Sequence, residues 1–308
     1  MNKKILITGG AGFGGSGLAH ALVKKGGYDV TVLDVVGPLH ADALTDIMDQ
    51  IKYKWMSLQD LQPQDVAGQE IIIHLAAAAD VPLGLTAPRW QMIQNIWGTQ
   101  ELCEACKGSN KLERVIYAGS GNEWGRPLYL PIDEKHPLTP HNPYAWSKAC
   151  AELCFQAYER CYGLPVVRMS NGAVCGKGMR REIFIYKWLW NIAHNRPCVL
   201  EGGDQTRDLT HVDDVLKAWM AAIEAPAKDV IGEKFQVSYG EEVSVADLLD
   251  TCFVVTGKPV SIIRKPHRPG EVGQREFFTN EKARRVLGYN PVINYKEAIR
   301  RTWTEETF

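Results

Sequence analysis

Short, nearly continuous apolar runs alternate with longer stretches of helical spacing through the first half of the chain. The runs Lys4–Thr8, Asp29–Leu33, Glu70–Leu75 and Glu113–Ala118 read as strands covered on both faces, since a strand with one solvated face would alternate apolar and polar residues. Between them Ser16–Lys25, His40–Ile51 and Pro88–Lys107 carry helical periodicity. Alternation of this kind predicts an α/β protein built on a doubly wound parallel sheet. A long helix over Tyr144–Tyr162 and a strand at Pro165–Arg168 carry the pattern past mid-chain.

After Ser170 the texture changes. The stretch "SNGAVCGKGMRRE" reads as a loop, and the helix expected over Ile183–His194 is heavy in aromatics. Short strands at Cys198–Leu200, Lys234–Val237 and Val260–Ile263 lie among helices at Val212–Glu224 and Val245–Val255. The expected division is a first domain over residues 1–170, whose sheet later segments can complete, and a smaller mixed α/β lobe over 171–308.

Composition narrows the function classes. A chain of 308 residues with 45% hydrophobic content can bury a full core. Its 35 basic and 36 acidic residues nearly cancel, and no basic run exceeds three, so nothing marks a nucleic-acid or anionic-membrane partner. The eight cysteines fall at neither metal-ligand nor disulfide-framework spacings, which predicts free thiols in a reducing cytoplasm and no metal site. The apolar run in "MNKKILITGG" is too short for a secretory core, and no segment reaches the roughly 18 apolar residues of a membrane span.

Candidate chemistry begins directly after the first strand. "ILITGGAGFGGSG" sets Thr8, Gly9, Gly12 and Gly15 between strand and helix. Glycines there permit a tight turn, close approach of a pyrophosphate and close helix–strand packing, while the helix N-terminus offers unpaired N–H groups to the anion. Asp34 ends the second strand 19 residues beyond Gly15, where a carboxylate accepts hydrogen bonds from an adenosine ribose. That carboxylate would repel a 2′-phosphate, and Val35, Val36, Gly37 and Pro38 supply no arginine after it, so NAD is favoured over NADP.

"NPYAWSK" places Tyr144 and Lys148 four apart at a helix start, on one face. A tyrosine with a pKa near 10 is a poor base at neutral pH; a lysine cation and an oxidised nicotinamide close by favour its phenolate.

These residues share their order with a known family. The Thr-Gly-x-x-Gly-x-x-Gly run at Thr8–Gly15, Asp34, "HLAA" at His74–Ala77, "NIWGT" at Asn95–Thr99, Ser120 and the Tyr144/Lys148 pair resemble the extended short-chain dehydrogenase/reductases, NAD-dependent nucleotide-sugar epimerases and dehydratases on a Rossmann sheet. The likeness spans essentially the whole chain: "RMSNGAVCG", "GGDQTRDLTHVDD" and "RPGE" resemble the later family segments. It implies that Ser120, Tyr144 and Lys148 are catalytic. It also implies that Gly9, Gly12, Phe13, Gly15, Asp34, Leu75, Ala76 and Ala77, with Tyr144 and Lys148, line the cofactor. Ser120, Asn171, Arg207 and Arg268 would then hold the nucleotide sugar, arginine's fork suiting a diphosphate. Relatives often pair as homodimers through two helices, here Pro88–Lys107 and Tyr144–Tyr162. His74, Asn95 and Asp213 read as packing, cofactor-lining and helix-terminal residues. Two departures stand out: Met56 and Ser57 replace the Gly-Asp that relatives often carry after the third strand, and Gly14 replaces a large apolar residue after Phe13.

The loop "GSGNEWG" bears on the reaction. Sugar dehydratases and UDP-glucuronate decarboxylases resemble each other in carrying acids after the serine or threonine, and those positions fall on Gly121 and Asn122; Glu123, one step along an extended segment, would point the other way. The resemblance therefore implies a C4 epimerase working through a transient 4-keto sugar with reversible hydride transfer to NAD. The alternatives are a nucleotide 4-keto-sugar reductase like those acting on GDP-4-keto-6-deoxymannose, a dehydratase with relocated acids, and a non-enzymatic NAD-sensing protein. The last typically lacks the tyrosine or lysine, and both are present.

Overall fold

The computed structural model describes residues 2–308 and divides into two compact units. The first comprises the chain up to Ser120, Pro143–Ser170 and Trp219–Lys234. It runs through β1 (Lys3–Thr8), α1 (Phe13–Lys25), β2 (Tyr28–Asp34), β3 (Lys52–Trp55), α2 (Pro63–Val66), β4 (Ile71–His74), α3 (Val81–Thr86), α4 (Pro88–Met92), α5 (Gly98–Cys106), β5 (Arg114–Ser120), α6 (Pro143–Tyr162) and β6 (Val166–Asn171).

The second unit takes Gly121–Asn142, Asn171–Ala218 and Phe235–Phe308. It begins with a 3₁₀ turn at Gly121–Trp124 and holds β7 (Ala173–Cys175), α7 (Phe184–Ala193), β8 (Cys198–Glu201), β9 (Thr206–Arg207) and β10 (Leu209–His211). Helix α8 (Val212–Glu224) carries the chain back to the first unit, where α9 (Ala227–Val230) follows. Then come β11 (Lys234–Val237), β12 (Val243–Ser244), α10 (Val245–Thr256), β13 (Ile262–Lys265), α11 (Glu281–Leu287) and α12 (Tyr295–Glu305).

The central sheet has seven parallel strands in the order β11-β6-β5-β4-β1-β2-β3. The apolar runs of its inner strands, Ile5–Ile7 and Ile71–Ile73 among them, are fully buried, as their unbroken apolar character requires. Strand order reverses between β1 and β4, which are direct neighbours with Thr8 opposite His74. Ligands of doubly wound sheets bind outside the carboxyl ends of the strands at such a point. Smaller pairs complete the second unit: β7 with β10, β8 with β13, and β9 with β12.

The structure departs from the sequence pattern in places. The helix expected over His40–Ile51 is instead two 3₁₀ segments, Pro38–His40 and Asp42–Gln50. The edge strand β3 was not expected, because Lys52, Tyr53, Lys54 and Trp55 alternate charge with aromatics and bury little. The strand expected at Val260–Ile263 runs over Ile262–Lys265, and the helix expected over Pro88–Lys107 is continuous but carries a π turn at Ile93–Trp97. Nor is residue 170 a single boundary. The segment 121–142 belongs to the second unit, and 219–234 to the first, where Arg114 donates to Ala222 O and Ala225 O at 2.7 and 2.9 Å. Helix α7 buries Tyr186 and Trp188, so those aromatics pack the core.

Candidate active site

The turn after β1 is built around close backbone approach. Gly9 has φ +70°, and a Cβ on it would stand 2.6 Å from Ala76 N, while one on Gly15 would overlap Gly9 O. Helix α1 starts at Phe13 with Gly12 as its N-cap and no side-chain cap, which leaves its first N–H groups for an anion. Asp34 ends β2 with both carboxylate oxygens engaged: Oδ2 accepts from Ala11 N at 2.9 Å and Oδ1 from Val36 N at 3.0 Å. The aspartate thus ties the glycine-rich turn to the residues after β2 and keeps further lone pairs for ribose hydroxyls. Glycine cradle, open helix end and carboxylate together fit a dinucleotide. At the departure after β3, Met56 packs against the core and its N–H donates to Asp34 O, while Ser57 caps a 3₁₀ turn at Leu58–Asp60.

Beyond β4 the chain runs as coil from Leu75 to Asp80, so its path depends on side chains. Leu75 N and Ala76 N donate to Thr8 O and Oγ1 at 3.1 and 3.3 Å. Thr8 Oγ1 also meets His74 Nδ1 at 2.8 Å, and His74 Nε2 meets Thr99 Oγ1 at 3.0 Å. Thr99 Oγ1 donates to Asn95 O, so it must accept from Nε2–H; His74 Nδ1 is then the acceptor for Thr8. Burial, then the Lys148 cation, pushes the His74 pKa down to about 3, in keeping with this neutral tautomer. The packing role expected of His74 fits its contacts. Asn95 holds the coil itself, accepting from Ala78 N at 2.7 Å, and donates to Ser147 Oγ at 2.8 Å.

Pro143 opens α6, where its missing N–H costs nothing. Lys148 is 5% exposed; its Nζ donates to Ala118 O at 2.6 Å and lies 4.4 Å over the Tyr117 ring. The lysine is thereby fixed to the end of β5, two residues before Ser120, which closes the strand 8% exposed. Tyr144 stands one turn earlier on the same helix and is half-buried.

In the second unit both candidate phosphate arginines face carboxylates. Arg207 donates from Nη1 to Thr206 O at 2.8 Å and from Nη2 to Glu271 at 3.1 Å, and its Nε lies 3.6 Å from Glu276. Arg268 pairs with Glu201 and reaches the same Glu271 carboxylate at 4.0 Å. Burial pushes the Glu276 carboxyl up, with Arg207 opposing. Asn171 is the last residue of β6, and Asp213 sits in the first turn of α8, 3.4 Å from Arg301. Position 121 is closed to side chains, since a Cβ on Gly121 would stand 2.5 Å from Phe278 Cζ. The segment Gly121–Trp124 is not extended as expected but a 3₁₀ turn, and Glu123 within it is fully buried.

Sequence reasoning passed over Gln91, buried and four residues before Asn95, and the carboxylates Glu271 and Glu276. A glutamine at helical spacing from Asn95 was the available signal for the first. Among the described residues, no helix is long and apolar enough to cross a membrane, and no three or more His, Cys, Asp or Glu residues cluster to hold a metal.

Comparison with known proteins gives this geometry a setting. Residues 5–238 match the model of the NAD dependent epimerase/dehydratase family. A putative UDP-glucose 4-epimerase of Methanocaldococcus jannaschii is 31% identical, with 96% of each chain covered. The human dTDP-D-glucose 4,6-dehydratase is 28% identical over 99% of this chain and 91% of its own. The crystal structure of a Bacillus cereus UDP-glucuronic acid 4-epimerase with UDP-glucuronic acid and NAD superposes with a TM-score of 0.91, at 26% identity and 98% coverage of both chains.

Proposed function

Since the chain belongs to the NAD dependent epimerase/dehydratase family, we propose that it is a nucleotide-sugar 4-epimerase, with NAD held by the β1–α1 turn, Asp34 and the Leu75–Ala77 coil. The observation that carries this reading is the arrangement on α6: Tyr144 and Lys148 one turn apart, with Lys148 Nζ tied to β5 two residues before Ser120. Tyr144 takes the proton of the sugar C4 hydroxyl, Ser120 holds that oxygen by a hydrogen bond, and the Lys148 cation stabilises the phenolate. Bound NAD⁺ supplies a hydride acceptor that can return the hydride. Tyr144 then reprotonates the 4-oxygen after the keto sugar has turned its other face. Arg207 and Arg268 hold the diphosphate.

The closed space at Gly121 supports epimerisation over elimination. An acid following Ser120 directly would have to displace the Phe278 ring.

We further assign the protein to the cytoplasm, where its eight free thiols suit a reducing medium. We also assign it a homodimeric state. Trp90 on α4, Trp97 at the end of the π turn and Trp146 on α6 are 48, 54 and 49% exposed, an apolar load unusual for a free surface.

The test starts by measuring NAD released from the purified, denatured protein. UDP-glucose, UDP-glucuronic acid, UDP-N-acetylglucosamine, dTDP-glucose and GDP-mannose are then supplied without added cofactor. A C4 epimer from one of them is expected, with turnover falling about 10²- to 10⁴-fold in Tyr144→Phe. A 4-keto-6-deoxy product, or stoichiometric NAD(P)H consumption by a 4-keto sugar, would replace this reading with a dehydratase or a reductase.

A further inference from the structure

Gln91 is completely buried in α4, an unusual setting for a primary amide. Its Nε2 donates to two backbone carbonyls of the coil after β4, Ala78 O at 2.9 Å and Asp80 O at 2.8 Å. Asn95, one turn on, holds the amide of the same Ala78. The Ala78–Asp80 stretch of the coil is thus held by two side-chain amides one turn apart, and between them begins a π turn, a distortion that recurs at functional sites.

The other end of Gln91 points away from the coil. Its Oε1 is buried without a hydrogen-bond partner and faces Gly84, where a Cβ would overlap this oxygen and stand 3.2 Å from Tyr144 N, so the amide and the first turn of α6 border the same space. The absence of a side chain at position 84 is what admits the amide between α3 and the first turn of α6. A second path reaches the same turn, since Ser147 Oγ accepts from Asn95 and donates to Tyr144 O at 2.7 Å.

We propose that Gln91 is a positioning residue for Tyr144, setting the first turn of α6 against the Ala78–Asp80 coil; this rests on the reading of Tyr144 as the proton acceptor. A buried amide left with one unpaired oxygen carries a desolvation penalty that an apolar side chain of similar size would avoid. Its two bonds to the coil are what that penalty secures.

The experiment is a pH titration of tyrosinate absorbance in the near ultraviolet at saturating NAD⁺. Subtracting the Tyr144→Phe protein isolates one of the 11 tyrosines. In Gln91→Leu, with its own Tyr144→Phe subtraction, the Tyr144 signal is expected to rise at higher pH than in the parent, with an unchanged melting temperature. A purely structural glutamine would lower the melting temperature and leave that midpoint where it was. Should Gln91→Leu not fold, Gly84→Ala displaces the same amide from the opposite side and is expected to shift the signal in the same direction. Equal midpoints in parent and variant overturn the proposal alone. A parent with no Tyr144-dependent signal below the ionisation of its other tyrosines overturns the reading of Tyr144 and the proposal together.

Discussion

Trp219 lies over the first turn of α1 where Gly14 makes room for it: a Cβ on Gly14 would stand 2.9 Å from the ring's Cη2. The missing apolar side chain of the glycine-rich turn is thus replaced from a segment about two hundred residues away in sequence. Trp219 is only 6% exposed, so its bulk is part of the packing that holds the N-terminal end of α1. Gly14→Leu is expected to cost about 1–3 kcal/mol by overpacking, and Trp219→Ala about 3–5 kcal/mol by leaving a cavity. The double variant should recover at least about 1 kcal/mol relative to the sum. Urea unfolding of the four proteins measures this, and strict additivity would show that the two positions do not share the space.

This pair also marks what could be read from the sequence. The sheet was legible because strands buried on both faces declare themselves by unbroken apolar runs, and the cofactor turn because its glycines answer to backbone geometry that no other residue tolerates. Gly14 looked like a defect, since its complement is distant in sequence. Lys52–Trp55 escaped notice for the opposite reason: an edge strand with little burial carries no apolar signature. That Tyr144 and Lys148 share a helix was legible from their spacing, whereas the bonds that Gln91 makes were not. Its partners are backbone carbonyls, which leave no trace in residue identity. The carboxylates around Arg207 belong to the same class, because Glu271 and Glu276 approach it only through the folding of a loop.

Asp34 does two jobs that one substitution can separate. Its oxygens hold Ala11 N and Val36 N, and in the proposed cofactor site its charge would oppose a 2′-phosphate. Asp34→Asn keeps one acceptor but turns an NH₂ group toward one of those amides, so NAD⁺ affinity should fall by about tenfold or more, or about 1.4 kcal/mol. The ratio of NADP⁺ to NAD⁺ affinity should rise at the same time, because the charge is gone. Titration of cofactor-free protein with each dinucleotide checks both. An unchanged ratio would assign the discrimination elsewhere.

The exposed tryptophans make the proposed dimer a quantitative matter. A specific interface buries about 800 Å² per partner, and with about half of each side chain still exposed, each tryptophan can add about 75–125 Å² of apolar contact. Trp97 and Trp146 are therefore large contributors to any pairing through this face. The parent is expected to scatter light as a dimer at micromolar concentration, and the Trp97→Glu/Trp146→Glu variant as a monomer with its far-ultraviolet spectrum intact. A monomeric parent would remove the dimer from the proposal.

His74 gives stability a pH dependence of definite sign. The folded state keeps the imidazole neutral down to about 3, whereas the unfolded chain protonates it at the ordinary value of 6.5. Between those values the unfolded state binds the extra proton, so the contribution of His74 is complete above pH 6.5 and is lost as the pH falls toward 3. At pH 5 the loss relative to pH 7 should be about 2 kcal/mol, at 1.36 kcal/mol per unit. In His74→Gln the amide can still accept from Thr8 and donate to Thr99, but it cannot take up a proton. Urea midpoints of the two proteins at pH 7 and pH 5 therefore isolate this residue from every other titrating group, because those are common to both. The parent should weaken more than the variant on acidification. An equal loss would mean that the imidazole finds a way to charge within the folded core, which its two threonine partners, one donating and one accepting, argue against.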